Sequence, residues 1–452
     1  MATAGLSDSL TGPASSRPTL RGKGGMVHMP LDKREMFRMP WSLTDNPIGW
    51  LEVTDICNIN CKGCYRSQLA GHRELAELKE EIRMFRELRN CDGISIAGGE
   101  PLLHPHLAEI VAHIRKYGMK AVLLSNALAL DHAALVELKK AGLEYLTLHV
   151  DQWQTREGWT GKNELQLLDL RQEITDRVAE VGGYHLTLGC TVYNENLSYV
   201  TAIADWARQN AGTVDGLVFI TFRGVPTLKD IDYIAPDKMV DDVEKGISYT
   251  TGDVSEIQIS SNDVWHKLQE QDPAFHSGAY LGGTVRHSSF KWIVTARAIS
   301  KNRTYGYAGP RVMEAIQHLH HDVKGTYPAY MPKSRLGPLL FGAGIIDPHL
   351  RQAGLAYLDD VLRNPRRLLD PIHVQSIVIV QAPDLLADGS CDMCDSCPDM
   401  TFYKGELVRS CRWDEYRRYG ALLQPNMHGS AEQKQSKLVH DPQRPTLPHG
   451  VA

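Results

Sequence analysis

The chain has 452 residues, 42% of them hydrophobic and 23% charged, with a formal net charge of −5. That is an ordinary globular composition, long enough for a barrel plus an appended domain, and its mild acidity gives no general reason to expect nucleic-acid binding. No apolar run approaches the ~20 residues of a membrane-spanning helix and no signal-peptide core opens the chain, so no membrane span and a cytoplasmic location are expected.

In chain order, residues 1–25 are rich in Gly, Ser, Pro and Thr and are expected to be disordered. Order is expected from about residue 30. From residue 45 to 224 short apolar runs alternate with amphipathic segments. Strands are expected at 50–54, 93–97, 119–125, 145–150, 185–192 and 216–222. Helical periodicity occupies 74–89, 106–117, 132–141, 164–181 and 197–208, with Leu75, Leu78, Ile82, Phe85 and Leu88 forming one face of the first. Six β-α units in a row imply a parallel sheet with right-handed crossovers, short of the eight needed to close a TIM barrel. In any such sheet the functional residues follow the strands' C-terminal ends.

The nine cysteines are clustered rather than paired, as metal ligands are. Cys57, Cys61 and Cys64 lie on the loop after the first strand, spaced C-x3-C-x2-C. Three thiolates on one loop can hold three irons of a [4Fe–4S] cube and leave the fourth iron open. The alternative is a zinc loop, although zinc usually takes four ligands. The second strand ends in Gly98-Gly99-Glu100-Pro101.

These two motifs, in this order, resemble the radical S-adenosylmethionine (SAM) superfamily. The resemblance implies a partial (β/α)6 barrel. It also implies that SAM chelates the open iron and that its amino group is received by Gly98, Gly99, Glu100 and Pro101. Reductive cleavage of SAM would give methionine and a 5′-deoxyadenosyl radical that removes hydrogen from a substrate. An electron donor such as flavodoxin or ferredoxin is then required. Ser125-Asn126, ending the third strand, resembles the family's short polar step that contacts SAM. Asp151 after the fourth strand and Arg223 after the sixth are further candidates for SAM or substrate. Asn126 and Asp151 are also residues that cap turns and helices, and His149 reads as a satisfied core histidine. One departure is Gly63, where the family usually carries an aromatic before the third cysteine; packing of the adenine is then left to the Gly63 backbone or Tyr65.

Residues 225–375 lose the β-α rhythm and are expected to be an irregular, substrate-facing insertion, because loops and aromatics concentrate there. Within it, 351–363 is amphipathic, with Leu355, Leu358, Val361 and Leu362 expected to pack onto the domain. Residues 376–381 read as a buried strand opening a region that ends near 422. It carries Cys391, Cys394, Cys397 and Cys411, and an aromatic hairpin turning at Lys404-Gly405. Four thiolates can fully ligate a second [4Fe–4S] cluster; the alternative is a structural zinc site. The region resembles the SPASM and twitch extensions of radical SAM enzymes. It has too few cysteines for two clusters, and Gly405 to Cys411 is one residue longer than the family's G-x4-C. Residues 423–452 are expected to be a disordered tail. Of the lone cysteines, Cys190 on the fifth strand is a candidate hydrogen donor if its face points into the barrel; otherwise it is a small buried hydrophobe.

The reading favoured is a radical SAM enzyme acting on a small-molecule metabolite of natural-product, sugar or lipid type. A peptide maturase is the alternative, disfavoured because only about 45 residues precede the first strand, too few for a winged-helix peptide-binding domain. A non-catalytic iron–sulfur scaffold is disfavoured by the intact pair of motifs.

Overall fold

The computed structural model describes residues 31–66, 71–222, 231–235, 238–240, 259–330, 337–386 and 389–427. The chain divides into two compact units, Met1–Asp32 and Lys33–Ala452, and the fold below is that of the second. The disorder expected for residues 1–25 lies outside the described residues.

After a two-residue strand β1 (Phe37–Arg38) come β2 (Ile48–Thr54), β3 (Gly93–Gly98), β4 (Lys120–Ser125), β5 (Tyr145–His149), β6 (His185–Val192) and β7 (Val214–Thr221). β2 to β7 lie side by side in sequence order and every pair is parallel. The crossovers carry α1 (Leu75–Arg89), α2 (Leu107–Lys116), α3 (His132–Lys140), α4 (Leu167–Val181) and α5 (Val200–Gln209). This is the six-stranded parallel order of a partial (β/α)6 barrel.

The core forms where strand and helix faces meet. Leu78, Ile82 and Phe85 of α1 are fully buried, three side chains at i, i+4 and i+7. They pack on the side of β2 that carries Gly49, where a methyl group would lie 2.7 Å from the Phe85 ring. Leu88, expected on that face, is 49% exposed. The helix ends one residue later, at Arg89, and Asn90 caps it in the left-handed conformation (φ 50°).

The long segment after β7 is not a separate insertion. β8 (Ile231–Ala235) and β9 (Lys238–Val240) form a small sheet of their own, but β10 (Ala279–Gly282), β11 (Phe290–Ile299) and β12 (Thr304–Tyr307) belong to the main one. β13 (His373–Gln381), expected to open the cysteine-rich region, pairs parallel with β7 from Ser376↔Gly216 to Gln381↔Thr221. The main sheet therefore runs β1-β10-β11-β13-β7-β6-β5-β4-β3-β2, with β12 beside β11. α6 (Ser261–Gln271), α7 (Pro310–Lys324) and α8 (Pro348–Arg363) complete this half.

α8 packs onto the domain, but not through the leucines expected to do so. Leu350, Ala353 and Tyr357 are its buried face. Leu355, Leu358 and Leu362 are exposed, at 61%, 55% and 82%. Val361, by contrast, is partly buried against Tyr305, Tyr357 and Ile372, and Tyr357 stacks on Phe341, so the helix packs on both β12 and residues 337–345. Among the described residues no helix is long and apolar enough to cross a membrane.

The C-terminal region contains β14 (Asp384–Leu385), β15 (Cys391–Asp392), the hairpin β16 (Met400–Tyr403) and β17 (Glu406–Arg409), and α9 (Trp413–Tyr419). The hairpin turns through Lys404 (φ 50°) and Gly405 (φ 86°), the positive dihedrals of a tight two-residue turn. Part of the expected disordered tail is ordered: β18 (Gln424–Met427) pairs antiparallel with β8. Main-chain hydrogen bonds give a polar segment a strand's geometry once an open edge is available.

This region ties together the two ends of the main sheet. Cys394 bridges to Gly283 next to β10, and the Asp395 N–H donates to the Gly282 carbonyl. On the other side, Asn46 Nδ2 donates to the Ser396 carbonyl. Arg89, fully buried, donates to the carbonyls of Ile48, Cys397 and Pro398. The edge of β2 is thereby covered.

Candidate active site

The Cys57, Cys61 and Cys64 loop leaves the C-terminal end of β2 and is held from two directions. Against the β5–α4 loop, Lys62 N–H donates to the Trp153 carbonyl, Thr155 N–H to the Asn60 carbonyl, and Cys61 bridges Gln154. Against the end of β3, Gly99 N–H donates to the Thr54 carbonyl (2.7 Å) and Glu100 N–H to the Ile56 carbonyl (2.8 Å). Glycine is required for that approach. A Cβ on Gly98 (φ 131°) would lie 2.3 Å from the Thr54 carbonyl oxygen, and one on Gly99 2.3 Å from that of Ile56. The two sequence motifs are thus welded backbone to backbone.

Glu100 is completely buried. Its carboxylate accepts from Leu102 N–H, Asn126 N–H and the Ser125 hydroxyl, which ties β3 to β4. Burial holds its pKa above the usual carboxylate range, with those donors opposing. Pro101 opens a one-turn 3₁₀ helix behind it. Asn126 reaches back to the cysteine loop, donating from Nδ2 to Asn58 Oδ1 (2.7 Å) and lying 3.9 Å from Cys57 Sγ. Asp151, 2% exposed, accepts from Trp153 N–H and lies 2.9 Å from His149 Nε2, which also meets the Thr191 hydroxyl. Gly98, Gly99, Glu100, Ser125, Asn126 and Asp151 therefore surround one mouth, and His149 is satisfied there.

Two candidates are not among these residues. Arg223 lies outside the described residues. Cys190 is buried on the wrong side of β6 for a hydrogen donor. Burial drives its pKa well up, and its charged neighbours are Glu164, Arg171 on α4 and, after them, Asp151. The opposite face of β6 carries Thr191, whose methyl would sit 3.3 Å from a Cβ on Gly63. Alternation along a strand puts the two residues on opposite faces, and the inward one is Thr191.

Sequence reasoning missed three residues here. Arg156, 3% exposed, donates to the carbonyls of Asn126 and His149 and feels the charges of Cys61, Asp151 and Glu100; burial lowers its pKa. Only its place after Asp151 marked it. Arg66, two residues past Cys64, is buried among Glu52, Asp55 and Asp414 and lies over the Trp413 ring. Arg417 makes a two-pronged contact with Asp55 at 2.8 and 2.6 Å. Helix α9 is thereby anchored to both sides of the cysteine loop. Tyr65 turns away from the mouth, toward Trp50 and Glu52.

In the second cysteine group, Cys394, Cys397 and Cys411 feel one another directly, and burial among them raises Cys411 while Cys397 is held down at about 7, its thiol facing Cys394. Cys391 lies against the Arg412 guanidinium, with Glu415 and Lys291 its next charged neighbours.

The two cysteine groups differ in how they fit an iron–sulfur cluster. Burial pushes the Cys57, Cys61 and Cys64 thiols up, and Cys61 is raised further by Asp151 and by the other two sulfurs. Three largely buried thiols on one short loop, with Arg156 the charged neighbour of Cys61 and Arg66 that of Cys64, suit a cationic centre, because coordination deprotonates a thiol outright. Among the described residues no three of His, Cys, Asp and Glu converge on a single metal ion. A cube does not ask for that convergence, since each thiolate meets a different iron. The first group fits a cube; in the second, three thiols fit and Cys391 is turned toward Arg412.

Residues 51–207 match the model of the Radical SAM superfamily. The chain is 29% identical over 184 residues to the 7,8-dihydro-6-hydroxymethylpterin dimethyltransferase of Methanocaldococcus jannaschii, covering 38% of this chain and 36% of the relative. It is 28% identical over 181 residues to the PqqA peptide cyclase of Gluconobacter oxydans, covering 38% and 50%. The chain thus spans between a third and a half of these relatives' lengths. Among solved structures, Streptococcus suis SuiB bound to precursor peptide SuiA aligns over 50% of this chain and 45% of that one, at 12% identity and a TM-score of 0.35.

Proposed function

We propose that the protein, whose residues 51–207 match the Radical SAM superfamily model, is a radical SAM enzyme that abstracts hydrogen from a small-molecule metabolite. The observation that carries this is the junction of the Cys57–Cys61–Cys64 loop with the Gly98-Gly99-Glu100 turn, made through two glycines that admit no side chain. When bound, a reduced [4Fe–4S] cluster with SAM supplies reductive cleavage of the sulfonium and a deoxyadenosyl radical.

The chain's own residues then have distinct tasks. Cys57, Cys61 and Cys64 hold the cluster. Asn126 Nδ2 fixes the loop through Asn58 and faces the Cys57 sulfur. Glu100 does less at the mouth than the resemblance implies: its oxygens already take three hydrogen bonds, so it holds β3 and β4 in place, leaving the Gly98 and Gly99 main chain nearest an incoming amine. Arg156 supplies buried positive charge beside Cys61 and Asp151. His149 and Asp151 line the mouth as a hydrogen-bonded pair.

Cys391, Cys394, Cys397 and Cys411 are proposed to hold an auxiliary [4Fe–4S] cluster, with Cys391 leaving Arg412 to do so. Arg89 fixes Cys397 beside Ile48, at the start of β2, whereas Cys57 follows its end. A seven-residue strand separates the two groups, roughly 20 Å. That spacing supports electron transfer or scaffolding for the auxiliary cluster rather than contact with substrate. The peptide reading draws on the PqqA peptide cyclase likeness, and the small-molecule reading on the pterin dimethyltransferase.

The test is anaerobic incubation with SAM, a reductant and deuterated candidate metabolites. Deuterium appearing in 5′-deoxyadenosine with a metabolite, and not with peptides, supports the small-molecule reading; transfer only from a peptide overturns it.

A further inference from the structure

Gly63 stands immediately before Cys64 and has no side chain to offer the mouth, yet the space beside it is filled. A Cβ built there would lie 2.7 Å from Tyr193 Oη and 3.2 Å from the Phe222 ring. Tyr193 follows β6 and Phe222 follows β7, so both reach the loop from the far side of the mouth. Their rings are 4.9 Å apart, Trp153 meets Tyr193 edge-on at 6.3 Å, and Lys62 Nζ lies over both Trp153 and Tyr193. The result is an aromatic wall around a glycine.

Tyr193 is 2% exposed. Its hydroxyl is buried and makes no hydrogen bond of proper geometry among the described residues. The nearest donor is the Gly63 backbone, and burial outweighs it, driving the phenol's pKa well up. A buried hydroxyl proton left without an acceptor is costly unless a ligand completes it. Nothing about packing calls for the hydroxyl, since phenylalanine would fill the same volume.

We propose that Tyr193, entering from β6, takes the place of the aromatic that Gly63 lacks and donates its hydroxyl hydrogen bond to the nucleoside portion of bound SAM. This rests on the radical SAM reading above. The glycine and the tyrosine are then a matched pair: a large residue at 63 is excluded by Tyr193, and Tyr193 is needed because 63 is bare. Phe222 backs the Tyr193 ring, and Trp153, 40% exposed, forms the outer rim.

The experiment measures SAM dissociation constants by anaerobic equilibrium dialysis on reconstituted protein, with iron content determined in parallel. Wild type is expected to bind SAM, and Tyr193→Phe to bind it about tenfold more weakly with iron unchanged. Gly63→Tyr alone is expected to lose binding, and Gly63→Tyr with Tyr193→Gly to recover to within about threefold of wild type. Wild-type affinity in Tyr193→Phe overturns the inference and leaves the radical SAM reading standing. Loss of iron in Tyr193→Phe also overturns it, by making the tyrosine a prop for the loop. A wild-type protein that holds iron and does not bind SAM overturns the radical SAM reading itself, and the inference with it.

Discussion

Residues near the mouth separate into those a motif announces and those only packing reveals. Cys57, Cys61, Cys64 and the two glycines were legible because their spacing is local. Arg156 and Tyr193 were not, because each acts on residues far along the chain: Arg156 on Asn126, Tyr193 on Gly63. Cys190 shows the limit from the other side. Alternation gave its face correctly as that of Leu186, Leu188 and Val192, but which face looks inward is decided by α4 packing on it. Arg156 has a measurable structural weight. Arg156→Met would leave the Asn126 and His149 carbonyls short of a buried donor, each worth about 1–3 kcal/mol. Denaturant unfolding of the apoprotein is expected to show a loss of about 2–4 kcal/mol. A loss below about 0.5 kcal/mol would mean that these contacts are dispensable.

Elements were legible wherever apolar periodicity was clean, as in β2 to β7 and α1 to α5. β11 was missed because its buried face carries Lys291, Thr295 and Arg297 beside Ile293. Each is neutralised or bonded from afar: Lys291 by Asp384 and Asp392, Arg297 by Gln375 and the Ala204 carbonyl. A pattern reader sees charge and infers surface. α8 erred in the opposite direction, since its leucines suggested burial that only Leu350 and its neighbours achieve. Leu350→Ala is expected to cost about 2–5 kcal/mol in an unfolding titration, as for a buried leucine. Leu362→Lys, at an 82% exposed site, is expected to stay within about 0.5 kcal/mol of wild type. Equal destabilisation by both would contradict the orientation of the helix.

At the scale of the whole molecule, the partial barrel was foreseeable, but the joining of its ends was not. β13 enters the sheet beside β7 more than 150 positions later in the chain, a pairing that strand propensity does not encode. The cysteine-rich region then spans from Gly283 to Arg89, so the proposed auxiliary cluster sits in the seam that holds the sheet's edges together. Arg66 and Arg417 carry that seam up to the cysteine loop through Asp414 and Asp55. The Cys57, Cys61 and Cys64 loop is proposed as the site of SAM cleavage, with the second cysteine group independent of it. The most direct test replaces all three cysteines by alanine and measures iron and 5′-deoxyadenosine together, under anaerobic reducing conditions with SAM. Wild type is predicted to hold about eight irons and form 5′-deoxyadenosine, and the triple variant to hold about four and form none. Continued 5′-deoxyadenosine formation by the triple variant would contradict it.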